Sequence, residues 1–295
     1  MAISHEFEYI KPKTIEETLE FLDKYKEKAK ILAGGTDLAV WIKEDMIKPE
    51  VVIDIKGIES LKSIVFDNNI LTIGALTTFS SLIRNKEIKK YFEVFWEAAT
   101  TVASVGIRNR ATVAGNICSA VPSLDSGPAL MVYDAFVTVK CKSGQRDILI
   151  TDWFIGPKKT SLKPNELLIS ISLVLPNGKS GSCYKKLGRY KGEDLAQSGI
   201  GVLVLENKKY RISYCAVGPV PIRAKKIEAF LDGKDLSENT IKEAQKLVEQ
   251  EISPISDIRS SKEYRMQISK VMLERALKIA ESRQKGELVH SEPIL

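Results

Sequence analysis

The sequence predicts an α+β protein made of three successive lobes and a short tail. Its first part alternates helix-period segments with short apolar runs. Its middle part carries two hairpin signals around a group of helical segments, and its last part has three apolar strands followed by helices. We therefore expect domains at residues 1–57, 58–177 and 178–283, with a tail at 284–295.

Helices separate the short apolar strands of the first lobe, and this alternation predicts a small parallel sheet. A helix is expected over residues 14–25, where apolar side chains recur at helical spacing. Thr14 is its expected N-cap and Glu17 follows three residues later, as in a capping box. Strands are expected at 29–33 and 51–55.

The second lobe has hairpins that flank helices. Asp67-Asn68-Asn69 and Lys142-Ser143-Gly144 are turn signals between apolar runs. The polar stretch 112–128 is expected to be a loop. The expected strands are 63–66, 70–73, 136–141, 146–150 and 167–175, and the expected helices are 80–85, 91–104 and 129–133.

The turn Pro176-Asn177-Gly178 marks the expected entry to the third lobe. After it the pattern changes to three apolar strands, and the C-terminal part is helical. The expected strands are 182–187, 199–206 and 210–217, and the expected helices are 225–231, 238–249 and 261–283.

Charge and hydropathy exclude some classes of protein. The chain has 44 basic and 38 acidic side chains, and its basic residues are scattered and interleaved with acids, as at 24–30 and 225–228. This interleaving is typical of a solvated surface, so we expect no nucleic-acid partner. No apolar run approaches the length of a membrane span, and the N-terminus lacks the basic and apolar regions of a secretory signal. A cytoplasmic protein is expected.

Cysteine and histidine usage predicts no metal site in this chain. The four cysteines are widely separated and form no CxxC pair, and the two histidines lie near the termini. A zinc site, an iron–sulfur site or a Ser/His/Asp triad is therefore not expected. The sequence also contains neither a Walker loop nor the G-x-G-x-x-G of a standard dinucleotide fold. The residues concerned are Cys118, Cys141, Cys183, Cys215, His5 and His290.

A paired-glycine motif follows the second expected strand. Gly34-Gly35 can adopt positive φ and let the backbone approach a ligand, and their N–H groups can form an anion nest. Thr36 could add a hydroxyl donor. Asp37 either contacts the ligand or caps the helix that starts near Leu38. The motif predicts a phosphate cradle, with an ordinary strand-to-helix turn as the alternative.

A second glycine-bearing segment lies about 80 residues later. It concentrates small polar side chains between apolar segments, and buried polar groups need hydrogen-bond partners. A large polar cofactor would provide those partners. The polar residues are Thr112, Asn116, Ser119, Ser123 and Asp125.

Together these motifs resemble the FAD-binding medium subunit of the molybdenum hydroxylases. The resemblance rests on the runs Ala33-Gly34-Gly35-Thr36-Asp37-Leu38, Thr112-Val113-Ala114-Gly115-Asn116-Ile117, Tyr184-Lys185-Lys186-Leu187-Gly188-Arg189 and Ala216-Val217-Gly218-Pro219. The family includes carbon monoxide dehydrogenase, xanthine dehydrogenase and archaeal aldehyde (glyceraldehyde) oxidoreductase. Ala114 stands where the family usually has a glycine. The family also implies the fold: a two-lobed FAD-binding domain of the PCMH/vanillyl-alcohol-oxidase type and a smaller α+β domain with a three-stranded antiparallel sheet and helices.

The resemblance also implies roles for individual residues. The first glycine motif would hold the FAD diphosphate, and the second would form the opposite wall. Asp125 would accept hydrogen bonds from ribityl or ribose hydroxyls, Leu168 would pack on the adenine, and Lys186, with Lys185 as its competitor, would lie near the isoalloxazine. The implied cofactor-binding residues are Leu32, Ala33, Gly34, Gly35, Thr36, Asp37, Leu38, Thr77, Thr112, Ala114, Gly115, Asn116, Asp125, Leu168 and Lys186.

The function implied by the family is electron transfer. FAD would be bound non-covalently in this chain. A large subunit would carry molybdopterin cytosine dinucleotide and oxidise the substrate, expected to be an aldehyde, and a small subunit would carry two [2Fe–2S] clusters. Electrons would pass from the clusters to FAD and then to an external acceptor, so no catalytic acid, base or nucleophile is assigned here. The alternatives are a stand-alone flavin oxidase or reductase on the same fold, and an FAD-free assembly subunit.

Overall fold

In the computed structural model, residues 3–190 and 192–289 are described. His290 and the end of the expected tail lie outside these residues. The first lobe forms a parallel sheet of three strands in the order β1–β3–β2, with helices between them. Its elements are β1 (Glu8–Ile10), α1 (Ile15–Tyr25), β2 (Ala29–Leu32), α2 (Leu38–Lys43) and β3 (Val51–Asp54).

The predicted start of the first helix is confirmed. The Thr14 hydroxyl accepts a hydrogen bond from the N–H of Glu17 at 3.1 Å, and the Glu17 carboxylate accepts one from the N–H of Lys13 at 2.7 Å. Leu19 and Leu22 on α1 are buried, as the helical spacing of apolar residues predicts. The parallel sheet predicted from the alternation of elements is also confirmed.

The second lobe is built on an antiparallel sheet of five strands in the order β4–β5–β10–β6–β7. Helices connect its two hairpins. The elements are β4 (Ile64–Asp67), β5 (Ile70–Gly74), α3 (Phe79–Arg84), α4 (Lys86–Tyr91), α5 (Glu93–Thr100), α6 (Val105–Arg108), α7 (Val113–Ser119), α8 (Ser126–Val132), β6 (Phe136–Cys141), β7 (Gly144–Leu149), α9 (Ile150–Trp153), β8 (Phe154–Gly156), β9 (Lys159–Thr160) and β10 (Leu167–Val174).

Two sequence-based expectations for this lobe were wrong. The single helix expected at 91–104 is interrupted at Phe92, whose φ of −125° and ψ of 51° are not helical, and α5 ends at Thr100. The stretch 112–128 is not a continuous loop, because α7 lies within it. Its polar residues suggested a loop, but one of them, Thr112, is the N-cap of that helix.

The third lobe has an antiparallel sheet in the order β11–β12–β13–β14. The three expected strands are present, and a short fourth strand extends the edge. The elements are β11 (Gly181–Leu187), β12 (Ser198–Leu205), β13 (Lys209–Cys215), β14 (Ile222–Arg223), α10 (Lys225–Leu231), α11 (Glu238–Leu247) and α12 (Lys262–Gln284). The domain boundary that we propose near residue 177 falls between the end of β10 and the start of β11.

Two buried apolar clusters hold the lobes. One lies mainly in the first two lobes and includes Leu19, Ile53 and Phe95, with Tyr184 and Leu203 of the third lobe also part of it. The other lies between the third sheet and α12 and includes Met272 and Leu273. Within the described part of the chain, no helix is both long and apolar enough to cross a bilayer.

Charged side chains join the third lobe to the second. The guanidinium of Arg283 on α12 lies 2.8 Å from the Glu97 carboxylate, and the other oxygen of Glu97 accepts the backbone N–H of Tyr184 at 2.7 Å. The side chain of Arg283 is 8% exposed, and that of Glu97 is 11% exposed. Breaking one partner of so buried a pair is costly, so these contacts fix the position of β11 against the second lobe.

Candidate functional site

A cleft of about 770 Å³ lies where the three lobes meet. It receives residues from both glycine motifs, from β10 and from β11, although these segments are far apart in sequence. The predicted cofactor-binding residues that line it are Ala33, Gly34, Gly35, Thr36, Asp37, Leu38, Thr112, Ala114, Gly115, Asn116, Asp125, Leu168 and Lys186.

The first glycine loop, between β2 and α2, lines this cleft. Gly35 has a φ of +78°, a conformation that side-chain-bearing residues rarely adopt. Its carbonyl accepts the N–H of Ala39 at 3.0 Å and so closes the turn that leads into α2. Among the residues that the structure describes, no acceptor is found for the N–H groups at positions 34–37. Donors of this kind are available to an anionic ligand.

Gly34 has a different reason for being glycine. A Cβ built on it would lie 2.0 Å from the carbonyl oxygen of Arg110 and 3.0 Å from the Cα of Ala111. Those two residues lead into the second glycine segment. The absent side chain at Gly34 therefore lets the two loops touch each other, which brings both motifs to the same cleft.

Asp37 and Leu32, at the two ends of the first loop, differ from their predicted roles or positions. Asp37 does not cap α2: its backbone is in the helical region and its carboxylate makes no capping hydrogen bond, so that predicted role was wrong. Leu32 is outside the cleft lining. Its carbonyl accepts the N–H of Ile55 at 3.1 Å, and its Cδ1 lies 2.9 Å from where a Cβ on Gly35 would be. Leu32 thus supports the glycine turn from behind.

The second glycine segment is a capped helix. The hydroxyl of Thr112 accepts the N–H of Gly115 at 2.9 Å, and its carbonyl accepts the N–H of Asn116 at 3.0 Å. Ala114 lies inside α7, where an alanine is favourable and positive φ is not needed. The departure from the family at this position therefore fits the local backbone.

Side chains beyond the cap complete this wall. The Asn116 amide oxygen accepts the hydroxyl of Ser126 at 2.6 Å. Cys118 also lines the cleft, and burial raises the pKa of its thiol to about 12. The thiol is therefore neutral near pH 7 and is no candidate nucleophile.

Thr77 is not part of the cleft lining. It is buried, its hydroxyl donates to the carbonyl of Ser63 at 3.1 Å, and its own carbonyl accepts the N–H of Val113 at 3.2 Å. The neighbouring Thr78 is the N-cap of α3. Thr77 therefore holds the start of α7 in place, and any role at a ligand stays a prediction.

At one end of the cleft is a buried ion pair. The Lys186 ammonium lies 2.9 Å from the Asp125 carboxylate and donates to the carbonyl of Thr101 at 2.9 Å. The Tyr184 hydroxyl donates to the other Asp125 oxygen at 2.7 Å. Burial raises the pKa of Asp125, while Lys186 and Tyr184 oppose that rise by stabilising the carboxylate.

The strand direction separates the two candidate lysines. Side chains alternate between the faces of a strand, so neighbours on β11 point in opposite directions. Lys186 lines the cleft. Lys185 is 5% exposed and lies on the other face, where burial lowers the pKa of its ammonium. Of the two, Lys186 has the geometry for contact with a ligand.

Sequence reasoning missed the residues opposite the first loop. Trp41 on α2 lines the cleft, and the Lys158 ammonium, from the β8–β9 hairpin, lies 5.6 Å from the centroid of its ring. Trp41 is three residues after Leu38, so it shares a helix face with a residue that was predicted. That spacing was a usable signal for Trp41, whereas no motif marks Lys158.

The cleft suits a long ligand that carries a diphosphate. Among the described residues the N–H groups of the first loop have no acceptor, and the left-handed Gly35 leaves the backbone of the turn without a side chain over it. Lys158 and Lys163 line the cleft and, within residues 3–190 and 192–289, form no ion pair with a carboxylate. Because FAD has an anionic diphosphate flanked by hydroxyls and two ring systems, the residues present fit this cofactor.

Comparison with known protein families agrees with this geometry. Residues 5–176 match the family described as the FAD-binding domain in molybdopterin dehydrogenase. Residues 182–280 match the C-terminal domain of the carbon monoxide dehydrogenase flavoprotein. The two matches cover both sides of the cleft.

Individual relatives span nearly the same length. The glyceraldehyde dehydrogenase medium chain of Sulfolobus acidocaldarius is 29% identical over 276 residues, which is 92% of this chain and 98% of the relative. The nicotinate dehydrogenase FAD-subunit of Eubacterium barkeri is 31% identical over 245 residues, 80% of this chain and 83% of the relative.

A solved structure shares the whole fold. A chain in the structure of carbon monoxide dehydrogenase from Hydrogenophaga pseudoflava superimposes with a TM-score of 0.91 at 29% identity. The match covers 96% of this chain and 99% of that one. The arrangement of all three lobes is therefore common to both molecules.

Proposed function

We propose that this chain, which belongs to the family of FAD-binding subunits of the molybdenum hydroxylases, holds FAD non-covalently in the cleft and serves as the electron-exit subunit of a larger enzyme. The observation that carries the proposal is the first glycine loop. Gly35 is in the left-handed region, and the N–H groups around it have no protein acceptor among the described residues.

Different residues of the cleft would bind different parts of the cofactor. The N–H groups of Gly34 to Asp37 would bind the diphosphate, and Asp125 would accept hydrogen bonds from ribityl or ribose hydroxyls. Leu168 would pack against the adenine, and Lys186 would place a positive charge near the isoalloxazine. Bound FAD supplies the redox chemistry, while the protein binds it, orients it and sets its electrostatic surroundings.

We propose two partner subunits for this chain. A large subunit would carry molybdopterin cytosine dinucleotide, and a small subunit would carry two [2Fe–2S] clusters. Support comes from relatives that are called a medium chain and an FAD-subunit, because both names describe one part of an assembly. This chain would take electrons from the clusters and pass them to an external acceptor, and we place the complex in the cytoplasm.

An aldehyde of the glyceraldehyde type is the proposed substrate of the whole complex. The supporting relative is a glyceraldehyde dehydrogenase medium chain that matches over 98% of its length. A nicotinate dehydrogenase FAD-subunit matches at a similar identity. Nicotinate is therefore the substrate to test beside aldehydes.

The test uses the isolated chain and the reconstituted complex. FAD bound to the isolated chain is expected to lose its absorbance at about 450 nm with dithionite but not with glyceraldehyde or nicotinate. With both partners restored, glyceraldehyde is expected to bleach it. Bleaching of the isolated chain by a substrate would instead favour a stand-alone flavin enzyme. If nicotinate bleaches the FAD of the complex and glyceraldehyde does not, the aldehyde assignment is overturned.

A further inference from the structure

A chain of buried polar groups begins at the cleft and leads away from it. Tyr184 and Lys186 are two residues apart on β11, so their side chains share one face of the strand. Both contact Asp125: the Tyr184 hydroxyl donates at 2.7 Å to one oxygen, and the Lys186 ammonium lies 2.9 Å from the other. Tyr184 is 2% exposed and is not part of the cleft lining.

We propose that Tyr184 is a positioning residue which acts through Asp125 to keep the Lys186 ion pair intact, and that this pair sets the reduction potential of FAD in the cleft. The inference rests on the proposed function, since it requires FAD to bind here. It assigns a role to a tyrosine that does not line the site.

The physical reason is the cost of a buried carboxylate. The side chains of Asp125 and Lys186 are 8% and 9% exposed, so the charged carboxylate depends on its protein partners. Removing the tyrosine hydroxyl takes away one of the two side-chain donors that Asp125 has among the described residues, and the pKa of Asp125, already raised by burial, rises further. Once Asp125 is protonated, Lys186 carries an uncompensated positive charge.

An uncompensated positive charge on Lys186 is expected to raise the reduction potential of the cofactor. Reduction adds negative charge to a flavin, so a nearby positive charge favours the reduced form and raises the reduction potential. The effect of Tyr184 should therefore be visible only at pH values where its loss changes the protonation of Asp125.

Few other titratable groups face Asp125. The thiol of Cys215 on β13 lies 3.8 Å from the Tyr184 hydroxyl, and burial raises its pKa, so it stays neutral. From α5, Glu97 is directed to Arg283 and to a backbone N–H. Asp125 is therefore the group whose protonation changes the charge balance of the ion pair.

The experiment measures the FAD reduction potential of the FAD-loaded chain between about pH 5 and pH 9, a range that spans most raised carboxyl pKa values. The variants are Tyr184→Phe, Asp125→Asn and the control Tyr214→Phe. Tyr214 is also a buried tyrosine of the third sheet, but its hydroxyl points to the carbonyl of Ser269 at 3.5 Å.

The expected result has three parts. Tyr184→Phe has a higher potential than the wild type only between the Asp125 pKa values of the two proteins, and the same potential below and above that range. The pH at which deprotonation of Asp125 lowers the potential moves up by about one unit or more. Asp125→Asn has a higher potential than the wild type wherever Asp125 is ionised in the wild type and the same potential at lower pH, and Tyr214→Phe matches the wild type at every pH.

Two outcomes would overturn the inference. One is a Tyr184→Phe potential that equals the wild type throughout, and the other is a difference that does not depend on pH. A wild-type chain that takes up no FAD would instead contradict the proposed function, so the two failures can be told apart.

Discussion

The two glycine motifs look alike in sequence but differ in structure. In the first, Gly35 has positive φ and the surrounding N–H groups have no acceptor among the described residues. In the second, Thr112 already accepts the N–H of Gly115, and Ala114 lies in a regular helix. Gly34 joins the two, because only a residue without Cβ can pack against the carbonyl before the second motif.

This difference separates three uses of glycine that a motif does not distinguish. Gly34 permits a close contact between the two loops, and Gly35 permits a left-handed turn. Gly115 lies in a helix, where an added Cβ would meet only the side chain of Thr112. The first loop is therefore the one that we propose as the donor surface for the diphosphate. In the second motif the N–H of Gly115 is already bonded to the Thr112 hydroxyl. Substitutions in the two motifs should therefore have very different effects.

The largest effect is expected for Gly34→Ala. Its Cβ would lie 2.0 Å from the carbonyl oxygen of Arg110, so one of the loops must move. We expect a loss of about 3 kcal/mol in the free energy of unfolding, together with loss of FAD. Denaturant unfolding measures the first and flavin absorbance the second. Gly57→Ala is the control, because its Cβ would have nothing closer than 3.9 Å.

The next effect is expected for Gly35→Val, which should remove FAD at a smaller cost in stability. A β-branched residue at a φ of +78° is strained, and its Cβ would meet the Cδ1 of Leu32 at 2.9 Å. We expect FAD affinity to fall by about 100-fold, and the unfolding free energy to fall by about 1–3 kcal/mol. Equilibrium FAD titration and urea unfolding test this.

The control for that variant is Gly57→Val, at an exposed position away from the cleft. It should bind FAD like the wild type. If Gly35→Val keeps a full complement of FAD, the first loop is not the diphosphate site.

A smaller effect is expected for Thr112→Ala, which removes the cap of the second wall. Thr78→Ala is its matched control, since the Thr78 hydroxyl caps α3 by accepting the N–H of Ser81 at 3.1 Å. Both should cost about 1 kcal/mol of unfolding free energy. Only Thr112 lines the cleft, so only Thr112→Ala should weaken FAD binding, by about 5-fold. Equal FAD affinities in both variants would remove Thr112 from the site.

The smallest effect is expected for Ala114→Gly, which restores the residue usual in the family. Because Ala114 is helical, the change should lower the unfolding free energy by about 0.5–1 kcal/mol without improving FAD binding. Thermal unfolding and an FAD titration measure the two quantities. Tighter FAD binding in this variant would show that the second wall needs a flexible glycine.

The sequence predicted those features that depend on local chemistry. The N-cap at Thr14 was correct because a hydroxyl followed by Glu17 is a local signal. The helix at 113–119 was missed because Thr112 and Asn116 are polar, and polarity alone does not distinguish a helix cap from a loop.

Long-range contacts were beyond the sequence. Trp41 and Lys158 meet across the cleft although 117 positions separate them, and no periodicity reports such a contact. The role of Gly34 likewise depends on the carbonyl of Arg110, which only the folded chain brings near. The sequence predicted that both motifs bind a cofactor. It did not show which motif has N–H groups without an acceptor among the described residues.

The most direct test of the FAD site is the flavin content of the purified chain and of its acid precipitate. We expect FAD equimolar with the chain, all of it released into the supernatant by acid, and a greatly reduced FAD content in Gly35→Val while Gly57→Val keeps it. A folded wild-type chain that takes up no FAD, or a precipitate that stays yellow, would contradict the non-covalent FAD site in the cleft.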